Sequence, residues 1–188
     1  MLFNRDVRYR CTQACFVYDA ILIPHFYFHY PGNHIYRKII VLSMHIIIET
    51  SRLILRRFTL DDAALVLQLN SDHDVLKYLH EPVLKDVNHA RQVIRDIILP
   101  QYERNLGRWA MHTKNDMEFI GWCGLKYRPE LDETDLGYRL QKNHWGKGYA
   151  TESAKQSLAH AFATLNLQTV TGRAHIDNFA SLNVLEKI

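Results

Sequence analysis

The sequence predicts an α/β (α+β) layer fold, a mixed sheet flanked by helices. Three observations carry that expectation. Runs rich in β-branched, leucine and aromatic residues, at 45–58, 108–113, 118–127, 134–141 and 167–173, read as strands. Stretches with apolar residues at helical spacing, at 86–104 and 149–165, are grouped with them, as layered folds require. The 188 residues are most simply one domain with a sizeable core.

Each element has a local reason. Residues 45–49 and 53–58 together give a first strand. Thr59, with Asp61 and Asp62 behind it, starts a helix, because threonine caps and acids suit a first turn. Val87, Ala90, Ile94, Ile97 and Ile98 form the stripe of a second helix, which Pro100 interrupts. Strands at 108–113 and 118–127 meet at an Asn115-Asp116 turn. After the strand at 134–141, Ala150, Ala154, Leu158, Ala161 and Phe162 line the buried side of a helix over 149–165. A strand at 167–173 and a helix at 178–187 complete the pattern.

Composition narrows the possible functions. The formal net charge of +3 is uneven, with five Lys/Arg against two Asp in residues 1–43 and 18 of each sign in 44–188. A neutral body offers no electrostatic footprint for nucleic acid. Residues 1–43 hold nine of the 21 aromatic residues without a clear period. Their apolar run at 16–30 is broken by Asp19, Pro24, His25 and His29. It is too short and polar for a membrane span, which takes about 20 apolar residues. It also lacks a small-residue cleavage site. Cys11-x3-Cys15 ahead of His25-x3-His29 has a metal-like look, but nine residues separate the pairs where fingers have about 12. No metal is expected. Three cysteines do not make a disulfide framework, which suits a reducing cytoplasm.

The most informative stretch is 135–153, DLGYRLQKNHWGKGYATES. Gly146 and Gly148 let the backbone turn tightly and gather amide N–H groups. The helix that starts directly behind them adds unpaired N–H donors and the positive end of a dipole. Such a loop holds a phosphate or pyrophosphate. GKGYAT lacks the G-x-x-x-x-G-K-[ST] order, and no third glycine completes G-x-G-x-x-G, so neither ATP nor NAD fits.

The segment resembles the central motif of the GNAT superfamily of acyl-CoA-dependent N-acetyltransferases, in particular the branch that acetylates the N-terminal alanine or serine of ribosomal proteins. Trp145, Gly148 and Ala150 stand at the three signature positions, tryptophan replacing the usual Arg or Gln. Three further stretches match in order: IETSRLILRRFTLDDA, FIGWCGL and DNFASLNVLEKI. The likeness covers 44–188. It implies an acyl-CoA N-acyltransferase-like sheet, mixed and mostly antiparallel. Met44 stands where this family usually starts, so 1–43 is expected to be a poorly ordered, dispensable extension. The family continues beyond the final helix with a β-hairpin, whereas this chain stops at Ile188. The expectation is therefore a sheet lacking its last hairpin, with a bare edge.

The resemblance also implies roles for residues. The strand around Leu140 would part from its neighbour and pair its backbone with the pantetheine arm of acetyl-CoA. Gly146, Lys147, Gly148, Tyr149, Ala150 and Thr151 would hold the pyrophosphate, and Asn178 the pantetheine. Asp135, where the family has Glu, would relay the acceptor's proton; its alternative is a solvent-facing strand-end acid. Ser181 would protonate the leaving sulfur, with Tyr138 in reserve; Asn178 and Ser181 could equally be helix caps. His144 reads as an exposed loop residue, Trp122 as a lining of the acceptor pocket and Cys123 as a small buried hydrophobe.

Two functions follow. The first is direct acetyl transfer to a primary amine, on a protein N-terminus or a small amine such as a polyamine or aminoglycoside, by a monomer or homodimer. The second is a CoA-binding remnant or regulatory module without turnover.

Overall fold

Seven strands form one sheet in the order β1-β7-β6-β5-β4-β3-β2 in the computed structural model, which describes residues 4–11, 45–79 and 81–188. Strands β2 (Ile46–Glu49) and β3 (Leu53–Arg57) are an antiparallel hairpin rather than one strand. The Thr50 hydroxyl oxygen accepts from the N–H groups of Arg52 and Leu53, and that local bond turns the chain. Next across the sheet lie β4 (Gly107–Thr113), β5 (Phe119–Arg128) and β6 (Glu133–Leu140), each antiparallel to its neighbour. Strand β7 (Thr169–His175) runs parallel to β6. The sheet is therefore mixed and mostly antiparallel, as expected.

Side chains alternate between the two faces. On one face Trp109, Cys123, Leu136 and Leu140 join the core with Ala154, Leu158 and Ala161 of helix α4 (Tyr149–Ala163). The Cys123 thiol lies 3.5 Å from the Ser157 hydroxyl, and Trp109 meets His160 edge to face. Helix α5 (Phe179–Lys187) packs beside it through Leu182 and Leu185.

The other face carries α1 (Ala63–Asn70), the short α2 (His73–Leu76) and α3 (Val87–Val93). A 3₁₀ turn at Leu60–Asp62 leads into α1, with Thr59 and Asp62 forming a capping box. Burial would raise the Asp62 carboxyl, but the forked Arg56 pair at 2.7 and 2.8 Å and the Thr59 N–H together hold it below its ordinary value. The single helix expected over 86–104 is instead α3, a π turn at Ile94–Ile98 and a 3₁₀ turn at Leu99–Arg104. Pro100 is the physical reason: it has no N–H, and its ring blocks the carbonyl four residues back.

Strand β1 (Asn4–Arg10) corrects the reading of the N-terminus and of the bare edge. It pairs antiparallel along all of β7, from Asn4 opposite His175 to Arg10 opposite Thr169. Alternation explains the fit. Arg5, Val7 and Tyr9 face α5, where the Tyr9 hydroxyl donates to the Leu185 carbonyl at 2.7 Å and Arg5 pairs with Glu186 at 2.8 Å. Asp6 and Arg8 face the other way, to Arg173 and Glu133. The remainder of the extension, including Cys15, His25 and His29 of the metal-like pattern, lies outside the described residues.

Removing residues 1–11 should expose the β7 backbone and lower the urea midpoint. Tyr9→Ala alone should destabilise by about 2 kcal/mol, since it loses a half-buried ring and a part-buried hydrogen bond. An unchanged midpoint in both variants would make β1 an ornament of the sheet.

Candidate active site

The site begins where two parallel strands stop being neighbours. Strands β6 and β7 pair only at Asp135 with Thr171 and Leu136 with Gly172. Beyond that point β6 and β7 are no longer partnered, and β6 runs on through Leu140 paired with β5 alone. The Gln141 N–H donates to the Ile120 carbonyl, so the backbone groups of Tyr138 and Leu140 point away from β5, into the gap. The Trp145 indole N–H takes the Leu140 carbonyl at 2.9 Å, while its ring stays half exposed. Among the described residues the other edge groups on this side have no partner, so they can pair with an extended ligand as a missing strand would.

The gap ends at the glycine loop. Gly146 and Gly148 both have positive φ, 73° and 81°, which favours glycine there. Gly148 is the N-cap of α4 and contributes no side chain to it. The first amide of this region to pair is that of Glu152, with the Gly148 carbonyl; among the described residues those of 146–151 donate to nothing. A Cβ on Gly146 would meet no atom within 4 Å. Unpaired amides, a helix N-terminus and open space fit a diphosphate. The exposed Lys147 adds a nearby positive charge.

A latch that the sequence reading missed fixes this loop. Arg52, in the β2–β3 turn, donates to the Lys147 carbonyl at 3.0 Å and to Glu152 at 2.6 Å, and lies 4.7 Å over the Tyr149 ring. Thr50 donates to the same Glu152 carboxylate at 2.6 Å. Burial would raise the Glu152 carboxyl, yet the Thr50 and Arg52 bonds outweigh it and hold it below the ordinary glutamate value. The only signal in the sequence was an Arg in ETSRL, a hundred residues away.

The remaining predicted residues gather around the gap. Asp135 is buried, not solvent-facing, between Arg128 at 3.3 Å and Arg173 at 3.4 Å. Burial pushes its carboxyl above the ordinary value, with the two arginines working against that rise. Asn178 caps α5: its side-chain oxygen accepts from the Ser181 N–H at 3.1 Å. The Tyr138 hydroxyl donates to the Ser181 carbonyl at 3.2 Å, and burial pushes its pKa up to about 12. The Ser181 hydroxyl, half-buried, has no partner among the described residues. His144 is buried rather than exposed, with Nε2 3.2 Å from Glu118. Cys123 is fully buried, and burial raises its thiol, as expected of a small hydrophobe. A separate groove of about 630 Å³ runs from Gln68 and Val75 to Gln141 and Asn143, on the helix-α1 side of the loop.

The family model described as Acetyltransferase (GNAT) domain matches residues 52–188, most of the chain. The chain belongs to the GNAT acetyltransferase family. Its similarity to the "Uncharacterized N-acetyltransferase p20" of Bacillus licheniformis is 34% identity over 140 residues, 74% of this chain and 79% of that one. Among solved structures, a RimL ribosomal L7/L12 α-N-protein acetyltransferase in complex with coenzyme A superposes with TM-score 0.65 at 19% identity. That superposition covers 74% of this chain and 80% of the other. A spermidine N-acetyltransferase from Vibrio cholerae, in complex with CoA and spermine, gives TM-score 0.62 at 18% identity over 73% of this chain and 80% of that one. At these identities the two structures share the GNAT fold with this chain. No helix among the described residues is long and apolar enough to cross a membrane.

Because the Glu152 pKa is lowered in the folded state, its stabilisation is present above the ordinary value of 4.5 and is lost as pH falls through the lower folded value. Glu152→Gln should therefore flatten the acid limb of stability below about pH 4.5, followed by thermal melts. Arg52→Ala should lower stability by about 1 kcal/mol and weaken binding at the glycine loop.

Proposed function

We propose that this GNAT protein transfers an acetyl group from acetyl-CoA to a primary amine, directly, in a ternary complex. The observation that carries the reading is the parting of β6 from β7 next to a loop whose amides are unpaired. The residues fit the donor. The edge of β6 at Tyr138 and Leu140 would bind the pantetheine arm, Asn178 its neighbouring stretch, and Gly146 to Thr151 with Lys147 the pyrophosphate. The bound thioester supplies an activated acyl carbon and a thiolate leaving group.

The chain's own groups then handle two protons. Asp135, whose burial makes it a stronger base than an ordinary aspartate, takes the proton of the acceptor ammonium through water. The freed nitrogen bonds to the acyl carbon as the carbon–sulfur bond breaks. Ser181 gives its proton to the departing sulfur and is restored by the second proton that the nitrogen sheds as it becomes an amide, and the Tyr138 hydroxyl, anchored on the Ser181 carbonyl and protonated at neutral pH, stands beside it. No covalent enzyme intermediate is needed, since the Cys123 thiol is sealed in the core. The functional domain is taken as 44–188, with β1 as an added strand, in a reducing cytoplasm that suits the cysteine usage. The acceptor is a protein N-terminus or a small amine.

Steady-state release of free CoA over a panel of amines tests the reading. Gly148→Glu puts bulk and negative charge at a left-handed helix N-cap and should abolish CoA binding in calorimetry. Asp135→Asn should lower kcat by about 100-fold while leaving CoA affinity intact. Tight CoA binding without turnover on any amine would favour the alternative, a non-catalytic CoA-binding module.

A further inference from the structure

The face of the sheet that looks toward α1 is crowded with cations. Alternation places Arg108 of β4, Trp122 and Lys126 of β5, and Asp135, Gly137 and Arg139 of β6 together on it. The guanidinium of Arg108 lies 4.6 Å over the Trp122 ring, and that of Arg139 lies 5.6 Å from the same ring. Their charges are treated differently. Arg139 is buried and donates to Asn70 and to Glu81 at 2.8 Å, while its Nε has no partner among the described residues. Arg128 and Arg173 share Asp135. Arg108 and Lys126 have neither an ion pair nor a side-chain hydrogen bond among the described residues.

Register places this unspent charge beside the reaction. Arg108 stands opposite Gly124, and Gly124 opposite Gly137. Gly137 is the first β6 residue past the last pair with β7, so the row runs straight to the point where the strands part. Neither glycine puts a side chain into that row; the Trp122 ring edge lies 3.3 Å from where a Gly137 Cβ would be, and at Gly124 the Gly107 carbonyl of β4 closes on the Cβ position. From β4 to β6 is roughly 10 Å, which an arginine and a small acceptor can bridge together.

We propose that Arg108, supported by Lys126, receives a carboxylate carried by the acceptor amine, so that the enzyme selects amino-acid or acidic-peptide acceptors over polyamines. This rests on the acetyltransferase reading above and names its substrate class. A guanidinium on an aromatic plane keeps its donor fork free for a carboxylate, and an apolar backing strengthens the pair. Burial, then the Arg139 and Arg128 charges, push Arg108 down to about 10, which is the signature of a cation short of counter-charge. Asp135 and Glu81 are also felt at Arg108, which disfavours a dianionic phosphate more than a carboxylate. A polycation would meet Arg108 and Lys126, which no ion pair among the described residues compensates. The same positive surplus lowers the pKa of an amine held beside it and helps deliver the neutral nucleophile.

The test compares CoA release by the full chain with Ser-Glu, Ser-Gln amide and spermidine as acceptors. The expected result is kcat/KM at least tenfold higher for Ser-Glu. Arg108→Met should raise KM for Ser-Glu by about 10- to 100-fold with spermidine unaffected or improved, and Arg108→Lys should recover part of the loss. CoA affinity by calorimetry serves as the folding control. Should Arg108→Met fail that control, Lys126→Gln decides, with a smaller rise in the same KM expected. Equal use of Ser-Glu and Ser-Gln amide, a preference for spermidine, or an unmoved KM would overturn the proposal. Absence of CoA release from every amine would instead sink the acetyltransferase reading. Calorimetric binding of Ser-Glu, wild type against Arg108→Met, still decides the carboxylate site in that case.

Discussion

The rest of the molecule depends on one break in hydrogen bonding. Two parallel strands that could have continued together stop pairing after Leu136 and Gly172. An unpaired strand edge inside a sheet costs free energy unless something occupies it. Here the exposed β6 groups are few, one carbonyl is already taken by the Trp145 indole, and the rest face a gap that leads to the glycine loop. The tryptophan that departs from the family's usual Arg or Gln thus acts as a brace between loop and strand.

Around that break the chain holds its parts with long-range polar contacts rather than with local propensity. Arg52 and Thr50 grip Glu152 from a hairpin at the far side of the sheet, and Arg52 also holds the Lys147 carbonyl. Strand β1 closes the other side of β7, and Tyr9 ties it to the helix that carries Asn178 and Ser181. The gap between β6 and β7 is therefore framed by the two ends of the described chain. The sheet face toward α1 is crowded with cations, and two of them, Arg108 and Lys126, which have no ion pair among the described residues, lie on strands that also supply the core.

Much of this was legible in the residues. The strand periods at 108–113, 118–127 and 134–141 returned within a residue or two, because alternating burial leaves a two-residue rhythm. The helix after Gly148 and the cap at Asn178 were equally readable, since both are local. The helix over 86–104 was not, because Pro100 forced a change of winding that periodicity does not report. The N-terminal strand was hidden too: NRDVRYR carries charge at most positions, and its strand character appears only once Asp6, Arg8 and Arg5 find Arg173, Glu133 and Glu186. His144 misled for the same reason: it is buried and meets Glu118, just ahead of β5 and 26 positions away in sequence.

By itself the sequence determined the kind of elements, the glycine loop and the family. These rest on neighbours in the chain: positive φ at two glycines, an apolar stripe, a capping residue. Only the tertiary structure decided that Asp135 is buried between two arginines, that Arg52 holds the loop, and that Arg108 lies on Trp122 without an ion pair among the described residues. Charge balance is set by distance in space, and these partners, from 7 to 95 positions apart in sequence, carry no local mark of it.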